Sequence, residues 1–259
     1  MNSKLARAIC TALVLLASLG AANAGLIERI AQIKPSVLPV GTFNALDNPR
    51  FGFRGTGFVV GDGNLLVTNA HVLPPPKDEG QQQTRLVVLV RGGSGDAAMA
   101  GLRSASVVKL DKSKDLALLR FEGPPLPALS LADEKEVQEG LAIAFIGFPI
   151  GGALGFSAVT HHGVIASITP IALPSARSEQ LNTRAIKRLR EGSFNILQLD
   201  ATAYPGNSGG PVFSVESGAV VGVINMVLVK GSTETALTHP SVISYAIPAS
   251  FVRELLESH

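Results

Sequence analysis

A single cysteine, Cys10, is all the thiol chemistry this chain holds, so neither an internal disulfide nor a Cys-built zinc centre can organise its fold. The sequence also lacks a Walker-type phosphate loop, a dinucleotide fingerprint and a long internal repeat, which leaves nucleotide-dependent chemistry and solenoid architectures without support. No cofactor is implied. Charge is scarce and balanced: 22 Lys and Arg face 20 Asp and Glu, for a formal net charge of +2. An apolar run extends from Ala8 to Leu19, short of the roughly 20 residues that a membrane-spanning helix requires.

What is there begins with that run. Lys4 and Arg7 precede it and Ala22-Asn23-Ala24 follows, the basic, apolar and small-residue parts of a secretory signal with cleavage expected after Ala24. Cys10 lies within it, too early for a lipoprotein cleavage site. Residues 1–24 take both surplus positive charges with them and leave a formally neutral product, which removes any whole-domain electrostatic case for nucleic acid. A stable membrane anchor is likewise not expected. Export to the periplasm or the medium of a bacterium is. The remaining chain, roughly 235 residues, is long enough to bury a large core.

Gly206-Asn207-Ser208-Gly209-Gly210-Pro211 is the most informative stretch. A serine between glycines can stand on a tight loop while neighbouring backbone N–H groups stay free to meet a substrate oxygen. The plain alternative is a Gly/Pro/Asn turn between strands. A serine hydroxyl needs a base and an orienting acid to become a nucleophile. Of the five histidines, only His71 ends a strand-like stretch among small residues, in Thr68-Asn69-Ala70-His71-Val72. Asp115 opens the apolar run Leu116-Ala117-Leu118-Leu119; Asp111 and Asp133 offer the same chemistry at less telling positions. His161-His162 could suggest a metal pair, but neighbours on a strand point to opposite faces, so it is read as a solvated or packed pair.

These blocks, with Gly55-Thr56-Gly57-Phe58-Val59-Val60, Gly147-Phe148-Pro149 and Ser244-Tyr245-Ala246-Ile247-Pro248, resemble the trypsin-like serine proteases and, within them, the HtrA/Deg branch. The resemblance runs in order from about Leu26 to the C-terminus. It implies an all-β fold of two six-stranded barrels, with short helices at either end. The first barrel is expected over about 36–130, the second over about 140–248 and a helix over 249–258, all within one protease domain spanning 25–259. It further implies a serine endopeptidase with His71, Asp115 and Ser208 as triad and the N–H groups of Gly206 and Ser208 as oxyanion donors. By analogy Thr202, Ala203, Val223, Ile224, Asn225 and Tyr245 line the substrate pocket. None is acidic, so small or medium apolar side chains of polypeptide substrates are the expected choice. The rival is a catalytically silent peptide-binding or chaperone-like module on the same fold.

Two departures from the branch stand out. No room is seen after the last helix for the PDZ domain that commonly follows. An insert between Thr169 and Asn195 carries a helical, basic pattern over Ser178–Glu191, either a solvated face or a regulatory or oligomer-contact loop. Asn207 replaces the aspartate that precedes the serine in digestive enzymes, so activation by insertion of a new N-terminus is not expected. Individual elements follow from periodicity: a helix from Leu26 to Ile33 stopped by Pro35, strands beginning at Phe51, and a helix from Ala249 to Glu257.

Overall fold

In the computed structural model, residues 25–75, 84–90, 101–151, 155–170, 194–225 and 244–258 are described. The signal-like segment and most of the basic insert lie outside them. Helix α1 (Leu26–Ile33) leads into a short 3₁₀ turn at Lys34–Ser36, where Pro35 ends the α-helical pattern. Six strands follow: β1 (Val37–Phe43), β2 (Phe51–Val60), β3 (Leu65–Asn69), β4 (Arg85–Leu89), β5 (Leu102–Asp111) and β6 (Leu116–Phe121). They close as an antiparallel barrel in the order β1-β2-β3-β6-β5-β4. A second barrel, in the order β10-β11-β12-β9-β8-β7, is built from β7 (Ala142–Gly147), β8 (Val159–Pro170), β9 (Asn195–Asp200), β10 (Pro211–Ser214), β11 (Val220–Asn225) and β12 (Ser244–Pro248). Helix α2 (Ala249–Glu257) ends the described chain. The expected pair of six-stranded barrels is therefore what the chain forms.

Strand alternation explains why the sequence reads as unbroken apolar runs. On β2, Phe58 and Val60 enter a cluster shared by both barrels, while Val59 between them fills the interior of the first barrel. On β3, Leu65 and Val67 join the shared cluster and Leu66 the interior; Leu118 and Leu119 of β6 divide in the same way. Both faces of these strands are thus dry, and no polar face is left to alternate. From the second barrel Ile146, Phe213, Val223 and Ile247 complete the shared cluster, and α2 covers it with Val252 and Leu255. The seam between the barrels is core.

Strand β1 is the element absent from the sequence reading, which placed no strand before Phe51. Pro39 and Gly41 disguise it. Val40 to Phe43 pair with both β2 and β4, whereas Pro39 is paired with β2 alone, so its missing N–H removes no bond from the second ladder. Gly41 sits at a register shift where a Cβ would stand 2.4 Å from Gly52 O and 2.6 Å from the Phe51 ring, so only glycine fits.

Candidate active site

The site lies across the seam. His71 belongs to a 3₁₀ turn (Ala70–Val72) that leaves β3, and Asp115 immediately precedes β6, the strand paired with β3 so that Asn69 faces Leu116. Asp115 has φ +53, an unusual conformation for an aspartate that directs both its carbonyl and its carboxylate back towards the His71 turn. The carbonyl accepts from Ala70 N–H at 3.0 Å and from Asn69 Nδ2 at 3.1 Å. The carboxylate accepts from His71 N–H at 2.9 Å through Oδ1, and its Oδ2 lies 2.6 Å from His71 Nδ1. A carboxylate offers only lone pairs, so Nδ1 carries the hydrogen and Nε2 is left with a lone pair.

The competing aspartates are engaged elsewhere. Asp111 Oδ1 accepts from the Ser113 N–H and hydroxyl at 2.9 and 2.6 Å and from the Lys114 N–H at 3.1 Å. Asp133 lies 3.7 Å from Arg253. Of the three candidates the fold brings only Asp115 to His71.

Ser208 sits on a loop whose shape depends on two glycines. Gly206 has φ +102 and a Cβ there would fall 2.2 Å from Phe148 O; Gly209 has φ +86 and its Cβ would fall 2.1 Å from Thr56 O. Thr56 of β2, fully buried, is the bracket that ties this loop to the first barrel. Its N–H donates to Ser208 O at 2.9 Å, and its hydroxyl donates to Gly206 O at 2.7 Å while accepting Phe148 N–H at 3.2 Å. On the other side Gly209 N–H donates to Ile224 O, and Ile224 N–H to Gly210 O, both at 2.9 Å.

The peptide planes around Ser208 have a definite aim. Pro205 O accepts Ile150 N–H at 2.9 Å and Asn207 O accepts Gly210 N–H at 2.9 Å. A trans peptide points its N–H opposite to its C=O, so the N–H groups of Gly206 and Ser208 are turned away from those partners. Among the described residues neither finds an acceptor. Two unclaimed donors beside a hydroxyl can receive an oxyanion. No hydrogen bond joins the Ser208 hydroxyl to the His71 ring among the described residues, a looseness common in catalytic pairs without substrate.

The residues expected to line a pocket are dispersed. Thr202 is exposed and Tyr245 half-buried, opposite Asn225 in register. Ala203 and Ile224 are packed together in the interior of the second barrel, and Ile224, fully buried there, is corrected as a pocket wall. Val223, fully enclosed in the core between the barrels, has no surface to offer a ligand, and this corrects its assignment as a wall. Asn225 is corrected as well: its Nδ2 donates to Asp115 Oδ2 at 2.8 Å, which makes it a partner of the carboxylate.

Of the two states expected for His161, solvated or packed, it takes the packed one. Its ring stacks on Phe145 at 4.7 Å, leans on Tyr204 at 5.8 Å and brings Nε2 to 3.4 Å from Asn207 Nδ2. Burial holds its pKa below the ordinary histidine value. Thr56 lies within the Gly55–Val60 block and His161 within the His161-His162 pair, but neither carries a local signal for the contacts it makes. Among the described residues no cluster of His, Cys, Asp and Glu could hold a metal ion.

Comparison with known proteins bears on this geometry. Residues 55–223 match the model of the trypsin-like peptidase domain. The chain is similar to the mitochondrial serine protease HTRA2 of Drosophila willistoni, 30% identical over 204 residues that make up 79% of this chain and 38% of that protein. A probable periplasmic serine endoprotease, DegP-like, of Halomonas elongata is 28% identical over 203 residues, covering 78% of this chain and 34% of that protein. The chain thus spans less than two fifths of the length of these relatives. Among solved structures, the HtrA-type protease AlgW with a tripeptide superposes with a TM-score of 0.61 at 21% identity, over 91% of this chain and 63% of the other.

Proposed function

This chain belongs to the trypsin-like peptidase family, with HtrA-type serine proteases among its relatives, and on that premise we propose that it is a serine endopeptidase acting through His71, Asp115 and Ser208. The proposal rests on one observation: a histidine oriented through Nδ1 by a carboxylate at 2.6 Å shares a seam with a serine whose loop carries two unclaimed N–H groups. Ser208 Oγ attacks the peptide carbonyl as His71 Nε2 takes its proton and then delivers it to the leaving amine. Asp115 stabilises the imidazolium formed in between. Gly206 and Ser208 N–H hold the oxyanion, each such donor typically being worth about 10²–10³ in rate. Water then repeats the sequence on the acyl-enzyme.

Specificity for small or medium apolar side chains is supported by the lack of a carboxylate on Thr202, Ala203 and Tyr245, so that a Lys or Arg side chain would find no partner among them. Export through cleavage after Ala24 is supported by the pattern of residues 1–24 and by the DegP-like relative, which is named as periplasmic. Among the described residues no helix is long and apolar enough to cross a membrane.

Since no Ser208–His71 hydrogen bond is present among the described residues, a second reading, a silent peptide-binding module, is kept beside the first. Labelling by a fluorophosphonate probe, run beside hydrolysis of an unbiased peptide library, separates the two. Wild type should be labelled and Ser208→Ala should not, with cuts after apolar residues. An unlabelled, folded wild-type protein that still binds peptides would establish the silent module, and cuts mainly after Lys or Arg would refute the pocket.

A further inference from the structure

The Tyr204-Pro205-Gly206-Asn207 segment is a closed turn, with Asn207 N–H donating to Tyr204 O at 3.0 Å. Proline in its second place and glycine at φ +102 in its third are the arrangement of a type II turn. The central Pro205–Gly206 peptide carries the Gly206 N–H. Turn types I and II differ by rotation of that plane, so the turn type decides where this donor points. Whatever holds the two ends of the turn therefore holds the donor.

His161 touches both ends. Cross-strand from Phe145, the residue it faces in the β7–β8 register, its ring is stacked at 4.7 Å and an interplanar angle of 17°. From that platform it meets the Tyr204 ring at 5.8 Å and the Asn207 amide at 3.4 Å, the first and last residues of the turn. Asn207 is fully buried and its Oδ1 has no partner among the described residues, so His161 is the polar contact its side chain has. We propose that His161 is a positioning residue for the oxyanion turn, clamping Tyr204 and Asn207 so that the Gly206 N–H keeps its aim at the reacting carbonyl.

The clamp is made for an uncharged ring. Strand β7 presents no charged residue, the turn offers only the Tyr204 phenol, and His162 follows on the opposite face of β8. Asp200, the acid paired in register nearest along β8, lies opposite Val164, and no ion pair to His161 exists among the described residues. A proton on His161 would create a half-buried cation without a counter-ion, and the ring would leave for water. Burial already disfavours that proton, lowering the pKa. Acid should therefore slacken the turn.

This inference rests on the endopeptidase reading for its kinetic arm and is independent of it in its spectroscopic arm. In purified full-length protein, His161→Ala should fold, lower kcat about 10-fold or more and leave KM within about 3-fold, as expected for a contact used only in the transition state. His161→Phe keeps the stacking ring and should recover part of that loss. Below the pKa of His161 the log kcat profile of wild type should steepen beyond a slope of 1, and that of His161→Phe should not. In a Ser208→Ala background, the amide resonances of Gly206 and of residue 208 should show a step that follows the titration of the His161 ring, and that step should be missing from the double variant with His161→Phe. A His161→Ala enzyme with wild-type kcat, or amides that ignore the His161 titration, overturns the clamp. Failure of wild type to hydrolyse any peptide overturns the endopeptidase reading instead, and the resonances alone then decide the clamp.

Discussion

Replacing Asp115 by asparagine tests the triad with the smallest change of shape. Both carboxylate oxygens are occupied: Oδ1 accepts the His71 backbone N–H, and Oδ2 faces both His71 Nδ1 and Asn225 Nδ2. An amide supplies one acceptor and one donor where two acceptors stood. The backbone N–H cannot reverse, so the amide oxygen takes the Oδ1 place and the NH₂ falls at Oδ2. Asn225 can turn its own amide to meet it, but His71 can answer only by losing the hydrogen from Nδ1. Its Nε2 then carries that hydrogen and cannot accept the proton of Ser208. The imidazolium also loses its counter-charge, and together these effects are worth on the order of 10⁴ in kcat, about 5 kcal/mol of transition-state stabilisation. Hydrolysis of an apolar-site peptide by purified Asp115→Asn, with circular dichroism on the same sample, measures it. Near wild-type turnover from a folded variant would refute the tautomer argument and remove Asp115 from the triad.

Other perturbations follow from the same contacts. Thr56→Val strands Gly206 O and Phe148 N–H, each previously served by the Thr56 hydroxyl, and should cost about 2–4 kcal/mol in urea denaturation; a loss well under 1 would show that the bracket is dispensable. The pKa of Asp111 is lowered: burial acts to raise it, but bonds from the Ser113 hydroxyl and Lys114 N–H and the charge of Lys114 outweigh that. This contribution is therefore present above the unfolded aspartate value of about 3.8 and lost as pH falls through the lower folded value. Wild type should lose more stability than Asp111→Asn on acidification, by on the order of 1 kcal/mol or less, and parallel acid transitions would count against it. Exported protein should begin at Gly25 on N-terminal sequencing, and an intact Met1 on the major exported species would sink the signal assignment.

The architecture was legible where chemistry is local. Runs such as Leu65–Val67 and Leu116–Leu119 announce strands because both of their faces are buried between barrel interior and seam. Strand β1 stayed hidden because its two atypical residues answer to partners distant in sequence: Gly41 to the Phe51 ring, and Pro39 to a flank where no strand pairs. A propensity scan sees a proline and a glycine and reads a loop. Closure of the barrel, which needs a strand between β2 and β4, overrides that preference.

The site was legible in the same measure, and its misreadings have one cause. His71, Asp115 and Ser208 each sit in a local pattern that the backbone itself demands: a turn leaving a strand, a strand mouth, a glycine loop. Asn225 and Val223 were assigned to the pocket by analogy, and analogy cannot say which face of β11 a side chain takes. Val223 and Asn225 are two apart and share a face, while Ile224 between them takes the other. That Val223 packs in the seam fixes the rest: Asn225 must also point across it, to the barrel that carries Asp115, and there its Nδ2 meets the carboxylate. One buried neighbour of known facing is enough to move Asn225 from the substrate wall to the side of Asp115. His161 follows by the same logic on β8, where facing Phe145 across the ladder directs it onto the turn that carries Gly206.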